Sequence, residues 1–348
     1  MSADGQPYVP MTRGPRAEWR PVRFAADERP RLIVVIDTEE EGGWGGSYSR
    51  DRTEVKAMRE SVLAQRIFNE FGVKPHWVID YPVASQPEGY EPLRQFLAEG
   101  TCEVGAHIHP WVNPPYDEQV SKYTSFAGNL AYRLERAKIA ELARVIEQNL
   151  GVRPRVFKAG RYGAGPNTPE ILRELGFEVD LSGDPGFNYA HEGGPDYRFM
   201  TADTYWIGAD RQLLGIPCTG GYLGRFHKLV SLYDFARKPL MQKLKLQAIM
   251  TRLGIIDRQR LSPETYTSAE HRQLTKCLWE RGVRVFCLSF HSPTLMVGGS
   301  PYVRSEADLK AFLGSIRRYL EFFLGEFGGV ATTAVEIREH LLRTPSQP

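Results

Sequence analysis

In "EVGAHIHPW" (103–111) two histidines flank a single isoleucine, and in "VVIDTEEEGGWGG" (34–46) an aspartate and a glutamate flank a single threonine. On an extended backbone, residues two apart leave the same face, so His107 converges with His109 and Asp37 with Glu39. Two neighbouring carboxylates call for a cation or a shared proton. Imidazole nitrogens with a carboxylate oxygen suit zinc, with cobalt, nickel or iron as substitutes. Each motif alone also has a plainer explanation: the acidic cluster as a helix N-cap with solvated neighbours, the histidines as structural groups with backbone partners. Pro110 restricts His109 to an extended conformation. Trp111 offers an apolar wall on which a sugar could stack, and the glycines after Glu41 let a tight loop pass close to a ligand.

Two further stretches end in polar groups. "VFKAGRYGAG" (156–165) carries Lys158 and Arg161, and a cation beside a carboxylate base would hold it ionised. "VFCLSFHSPTL" (285–295) brings His291 out of an apolar run, where it must meet a polar partner. General acid is one role for it; a satisfied structural histidine is the other.

The elements that would position these groups alternate. "RLIVVID" reads as a buried strand, the stretch ending at Gly72 as a helix, "KPHWVID" as a strand, "EPLRQFLAEG" as a helix and "TCEVGAH" as a strand. A helix follows over about 129–150. Next come a strand at "RVFKAG", a helix at "TPEILRELG", strands at "FEVDLS" and "QLLGIP", a helix at "SAEHRQLTKCLWERG", and a strand at "VRVFCLSF". A helix over about 305–325, a short strand near "GGVATT" and a helix at "AVEIREHLL" complete the chain. Seven or eight β–α units favour an α/β barrel over an open sheet, and catalytic groups of such barrels sit at the C-terminal ends of strands. The expected organisation is a flexible N-terminal arm (1–30), one barrel domain (31–343) and a disordered tail (344–348). A basic helical hairpin is inserted over 222–262, with nine Lys/Arg against two Asp between Arg225 and Arg260. That insertion is either a solvated hairpin or a peripheral contact for an anionic membrane or an acidic glycan.

The 348 residues carry 42% hydrophobic and 25% charged residues, ordinary values for a globular protein. The net charge of +2 gives no bias toward nucleic acid. Four scattered cysteines without a CxxC pair read as reduced thiols. No stretch has the apolar core of a signal peptide or the run of about 18 apolar residues of a membrane span. The expectation is a cytoplasmic protein, peripheral at the inner membrane at most. Oligomeric state leaves no mark in the sequence.

With "DTE", "GAHIHPW", "AGRYG" and "SFHSP" in this order, the chain from about residue 31 to 295 resembles the polysaccharide deacetylase (NodB-homology) family, in its bacterial envelope-glycan branch. The resemblance implies a distorted, incomplete (β/α)7-type barrel and a metal-dependent hydrolase acting on carbon–nitrogen bonds other than peptide bonds. Its substrate would be an acetylated sugar, N-acetyl before O-acetyl, in a glycan or lipid-linked precursor of the cell envelope. By position Asp37 matches the catalytic base, Glu39, His107 and His109 the metal ligands, and His291 the general acid. Lys158 or Arg161 would be the cation tuning Asp37. Asp80, Tyr81, Trp111, Tyr162 and Asp184 are candidate substrate contacts, with Asp180 and Asp184 both candidates for the fourth motif. The chain departs from the family in having D-x-E for adjacent aspartates, histidines two rather than four apart, and Lys158 where the usual arginine aligns. Two rivals stand beside this reading: a non-catalytic carbohydrate-binding relative, and a different metal-dependent amidohydrolase. The latter places its H-x-H on the first strand, whereas here D-x-E holds that place.

Overall fold

The computed structural model describes residues 19–343 apart from 26, 43, 45, 47 and 209; the expected tail at 344–348 and the first 18 residues of the expected arm lie outside the described residues. Among the described residues twelve strands run in chain order: β1 Trp19–Pro21, β2 Arg31–Thr38, β3 His76–Ile79, β4 Glu103–Ile108, β5 Val156–Ala159, β6 Val179–Asp180, β7 Tyr205–Ile207, β8 Leu213–Gly215, β9 Gly220–Leu223, β10 Asp257–Arg260, β11 Val285–His291 and β12 Val330–Ala331. Seven of them, in the spatial order β8-β6-β5-β4-β3-β2-β11, pair in parallel. β12 takes the edge of β2 below β3, while β7 and β1 extend the other end in antiparallel pairing. The fold is therefore the distorted (β/α)7-type barrel expected, left open between β8 and β11.

The helices are α1 Ser61–Glu70, α2 Tyr81–Ser85, α3 Pro87–Ala98, α4 Tyr132–Leu150, α5 Thr168–Glu174, α6 Val230–Ala236, α7 Pro239–Lys243, α8 Leu246–Arg252, α9 Ser268–Glu280, α10 Glu306–Leu320 and α11 Ala334–Arg343. Strand parity sorts the core. Leu32, Val34, Ile36, Ala106, Ile108, Phe157, Phe286, Leu288 and Phe290 join one apolar cluster with residues of α1, α4 and α10. The alternate residues Ile33, Val35, Val78, Val156, Val285 and Cys287 pack with Ala334, Val335, Ile337 and Leu341 of α11. His76, the first residue of β3, accepts the Ala334 N–H at 2.8 Å, which sets α11 at the N-terminal ends of the strands. The same faces continue toward the C-terminal ends as Asp37, Asp80, His107, Lys158, Ser289 and His291, so one face is apolar at one end and polar at the other. All four cysteines are free thiols, as expected.

Two expectations change. The arm is not free over its described part: Trp19 stacks on Tyr205 with ring centroids 4.6 Å apart, and β1 pairs with β7. The insertion is not a helical hairpin but an antiparallel ribbon, β9 with β10, whose far end carries the three short helices α6–α8. The ribbon's root crosses the open seam. Thr219 Oγ1 accepts the Cys287 N–H at 2.7 Å, and Leu261 N donates to Thr219 O at 2.8 Å.

Candidate active site

The strand ends place the chemistry that the sequence singled out within one buried cluster. Asp37, the penultimate residue of β2, lies in register with His291 at the end of β11. Lys158, one strand beyond β4, donates to both oxygens of Asp37, at 2.6 and 2.7 Å. Burial alone would raise the Asp37 pKa; Lys158, then His107 and His291, outweigh it and hold the carboxyl down to about 2. Burial likewise disfavours the Lys158 ammonium, and Asp37 more than restores it. Lys158 is therefore the cation at Asp37. Arg161 is turned elsewhere, paired with Glu192 and set 4.0 Å above the Phe126 ring, from a left-handed backbone at φ 54°.

His291 Nε2 stands 3.8 Å from Asp37 Oδ2, and its Nδ1 meets Glu264 Oε2 at 2.9 Å. Burial opposes protonation of this ring, but the carboxylates of Glu264, Glu39 and Asp37 carry its pKa up to about 10. Glu264 also accepts the His291 backbone N–H at 3.0 Å and the Thr294 hydroxyl at 2.7 Å, so its orientation is fixed from three sides.

Beside this acid–base pair, Glu39 Oε2 lies 3.5 Å from His107 Nε2 and 3.4 Å from His109 Nε2. These three are a cluster with metal-ligand chemistry, all ligand atoms within 4.8 Å of one another. Two donors each about 2.05 Å from one ion at a tetrahedral angle stand about 3.3 Å apart, so the spacing fits a small divalent ion. Burial pulls His107 down to about 3, which leaves the imidazole neutral and able to ligate; burial pushes Glu39 up to about 7, the shift of a carboxylate taken out of water, which a bound divalent ion would reverse. The two-residue histidine spacing is thus no obstacle. His109 follows the last residue of β4 with an extended backbone (φ −107°, ψ 101°), so its ring returns to the side of His107.

Glu40 orients His109 and was not singled out from the sequence. Its Oε2 meets His109 Nδ1 at 2.8 Å, its Oε1 accepts the Trp111 indole N–H at 2.8 Å, and its backbone N–H donates to Asp80 Oδ2 at 2.8 Å. A carboxylate on one imidazole nitrogen fixes the tautomer and here turns Nε2 toward Glu39, where it would meet an ion held by that cluster. Glu40 has the phase opposite to Asp37 and Glu39, so strand parity did not point to it. Glu264 comes from the loop after β10, where no periodicity points to it.

The residues expected as substrate contacts are distributed differently. Trp111 is 3% exposed and stacks on His109 at 4.3 Å, so it supports that ring rather than facing a sugar. Asp80 is fully buried and caps α2 through the Val83 N–H at 2.9 Å. Tyr81 faces α4, where Glu141 and Arg144 act on it. Asp184 is fully buried and ion-paired with Arg260. Asp180 is held by Ser182. Tyr162 lies in the wall, its ring 5.1 Å from Lys158 Nζ and 4.9 Å from the Arg260 guanidinium. The half-buried aromatics at the site are others: Trp44 meets His291 edge-on at 5.0 Å and Tyr302 at 5.4 Å, and Tyr48 lies 4.7 Å from Trp111.

No protein-family model matches the chain, and no curated protein matches it. Solved structures share its fold. A Mycobacterium smegmatis protein assigned as a polysaccharide deacetylase aligns over 97% of this chain and 99% of its own, with TM-score 0.54 and 15% identity. A Pseudomonas aeruginosa protein, also assigned as a polysaccharide deacetylase, aligns over 92% and 94%, with TM-score 0.51 and 16% identity. The Puue allantoinase aligns over 93% and 94%, with TM-score 0.50 and 16% identity. At such identities the likeness is one of fold.

Proposed function

We propose that this chain is a divalent-metal-dependent hydrolase that removes an acetyl group from a sugar, N-acetyl in preference to O-acetyl, in a glycan or lipid-linked glycan precursor. The observation that carries the reading is the geometry of Asp37 and His291, 3.8 Å apart, the first held by Lys158 and the second by Glu264, beside the donor set of Glu39, His107 and His109. The fold shared with proteins assigned as polysaccharide deacetylases supports it.

Glu39, His107 and His109 would hold the ion, with zinc the best match to two imidazoles and one carboxylate, and cobalt, nickel or iron as substitutes. A bound divalent ion supplies the Lewis acidity that brings a water's pKa down toward the range a carboxylate can reach. Asp37 would accept the proton of the attacking water, with Lys158 keeping its carboxylate ionised and aimed. His291, paired with Glu264, would protonate the departing nitrogen. An amine leaves poorly unless protonated, whereas an alkoxide needs that proton less, so a histidine held cationic favours the amide. Trp44, Tyr48 and Tyr302 are the aromatic surfaces on which a sugar ring would lie.

The test joins metal analysis with product release. Purified protein is expected to bind about one divalent ion and to release acetate from a panel of acetylated sugars and glycans. Allantoin belongs in the panel as the rival substrate, since an allantoinase shares the fold. Asp37→Asn should keep the metal and lose turnover; His107→Ala should lose both. Near-wild-type turnover by metal-loaded Asp37→Asn protein would overturn the assignment.

A further inference from the structure

The three short helices on the far end of the ribbon bury one side of themselves and leave the other without cover. Tyr222, Val230, Tyr233, Ala236, Met250 and Ile256 form a small core of their own. Outside it, seven of the eleven exposed large hydrophobic side chains among the described residues fall between Phe226 and Leu253. Leu240, Leu244 and Leu253 are the most open, at 64%, 61% and 68% exposure. Leucines this open, clustered on one small element, are what a water-facing helix avoids.

The charges on the same element are of one sign. Arg225, Lys228, Arg237, Lys238, Lys243, Lys245 and Arg252 are all exposed. The segment from 225 to 260 has two carboxylates, and both are engaged: Asp234 pairs with Arg198, and Asp257 accepts from Thr251 and Gln259. The other two cations of the segment belong to its anchorage, Arg260 paired with the buried Asp184 and Arg258 lying 3.8 Å above the Phe187 ring. The face therefore combines aliphatic side chains with seven uncompensated cations.

We propose that the α6–α8 cap docks the protein peripherally on an anionic phospholipid bilayer, its leucines entering the headgroup–acyl boundary and its lysines and arginines meeting the lipid phosphates. A second copy of the chain would set cations against cations. A soluble polyanion would satisfy the cations and leave the leucines in water. A bilayer surface with negative headgroups satisfies both at once. No described helix is long and apolar enough to cross a membrane, so the contact is on the surface. The proposal does not rest on the hydrolase reading, because the docking face and the metal cluster share no residue.

The experiment is flotation of the full-length protein with vesicles of phosphatidylcholine alone and of phosphatidylcholine mixed with phosphatidylglycerol, at low and high salt. Binding is expected only to the anionic vesicles and weaker in high salt. Each cation near such a surface contributes about fivefold, so the triple variant Lys238→Glu, Lys243→Glu, Lys245→Glu should bind at least on the order of 100-fold more weakly. The triple variant Leu240→Ser, Leu244→Ser, Leu253→Ser should also lose binding while keeping the wild-type melting temperature. The Asp37→Asn protein should float as the wild type does, which separates this outcome from that of the catalytic test. Equal binding to both vesicle types, or vesicle binding unchanged in both triple variants, overturns the proposal. So does light scattering that shows a dimer which the leucine variant converts to a monomer, with no flotation by either.

Discussion

Gly160 and His109 are packed so closely that no side chain fits at the glycine: a Cβ there would lie 2.2 Å from His109 Cδ2 and 2.8 Å from its Nε2. The contact fixes the ring that Glu40 orients from its other nitrogen, and backbone on one side with carboxylate on the other leaves it one position. Gly160→Ala must therefore displace the imidazole or the β5 terminus. Loss of an orienting contact on a metal ligand typically costs 10- to 100-fold in affinity. Isothermal titration with zinc is expected to show a loss of that order. An unchanged affinity would remove His109 from the ligand set.

Lys158 and Asp37 form a buried ion pair that can be separated from its chemical role by a double-mutant cycle. Lys158→Met takes from the buried Asp37 carboxylate the cation that holds both its oxygens, and breaking one side of such a pair costs about 3–5 kcal/mol. Adding Asp37→Asn removes the uncompensated charge, so the double variant should recover much of that loss in urea unfolding. If the two single losses simply add, the pair does not interact as described.

Much of this arrangement was legible because strand parity is a hard constraint. Ile33, Val35 and Asp37 share a face, as do Val156 with Lys158 and Cys287 with His291, so the apolar runs themselves aimed the polar residues. What parity cannot do is report a residue of the opposite phase or one in an irregular loop. Glu40 is one residue out of phase with Asp37 and Glu39, Glu264 lies in a loop, and both act by orienting a histidine that the sequence did identify. The same limit explains Trp111, Asp80 and Asp184. Each is near the site in sequence, but whether a side chain points into a cleft or back into the wall is decided by partners such as Arg260, which comes from a distant segment. The insertion misled for a different reason. Its helical spacing is real in α6–α8, but the pairing of β9 with β10 joins residues 34 to 40 positions apart, from Leu223 with Asp257 to Gly220 with Arg260, which no local pattern reports.

Glu264 sets the charge of His291, and that gives a pH prediction with a definite sign. A general acid must be protonated, so turnover falls as pH rises through the pKa of His291. Glu264 is among the groups that raise that value, so Glu264→Gln lowers it, and the alkaline limb of the pH–rate profile moves to lower pH. The acidic limb should stay in place. An alkaline limb that does not move would assign the proton donor to another group. A histidine titration followed by NMR gives the same answer without substrate.

Glu135 offers a test of the fold that leaves the site alone. It is fully buried in the first turn of α4, with one oxygen accepting the Thr168 hydroxyl and the other without a partner. Burial, only partly offset by Thr168, pushes its pKa from the ordinary 4.5 up to about 8. Between those two values the folded protein holds a proton that the unfolded chain has released, so stability falls as pH rises, by about 1 kcal/mol per pH unit, and levels off above the higher value. Glutamine mimics the protonated side chain and keeps an oxygen for Thr168. Glu135→Gln is therefore expected to change urea stability little near pH 4.5 and to raise it by a few kcal/mol at pH 9, with the slope between them reduced. A variant as pH-sensitive as the wild type across that window would show that Glu135 is ionised in the folded protein and that α4 is held by other means.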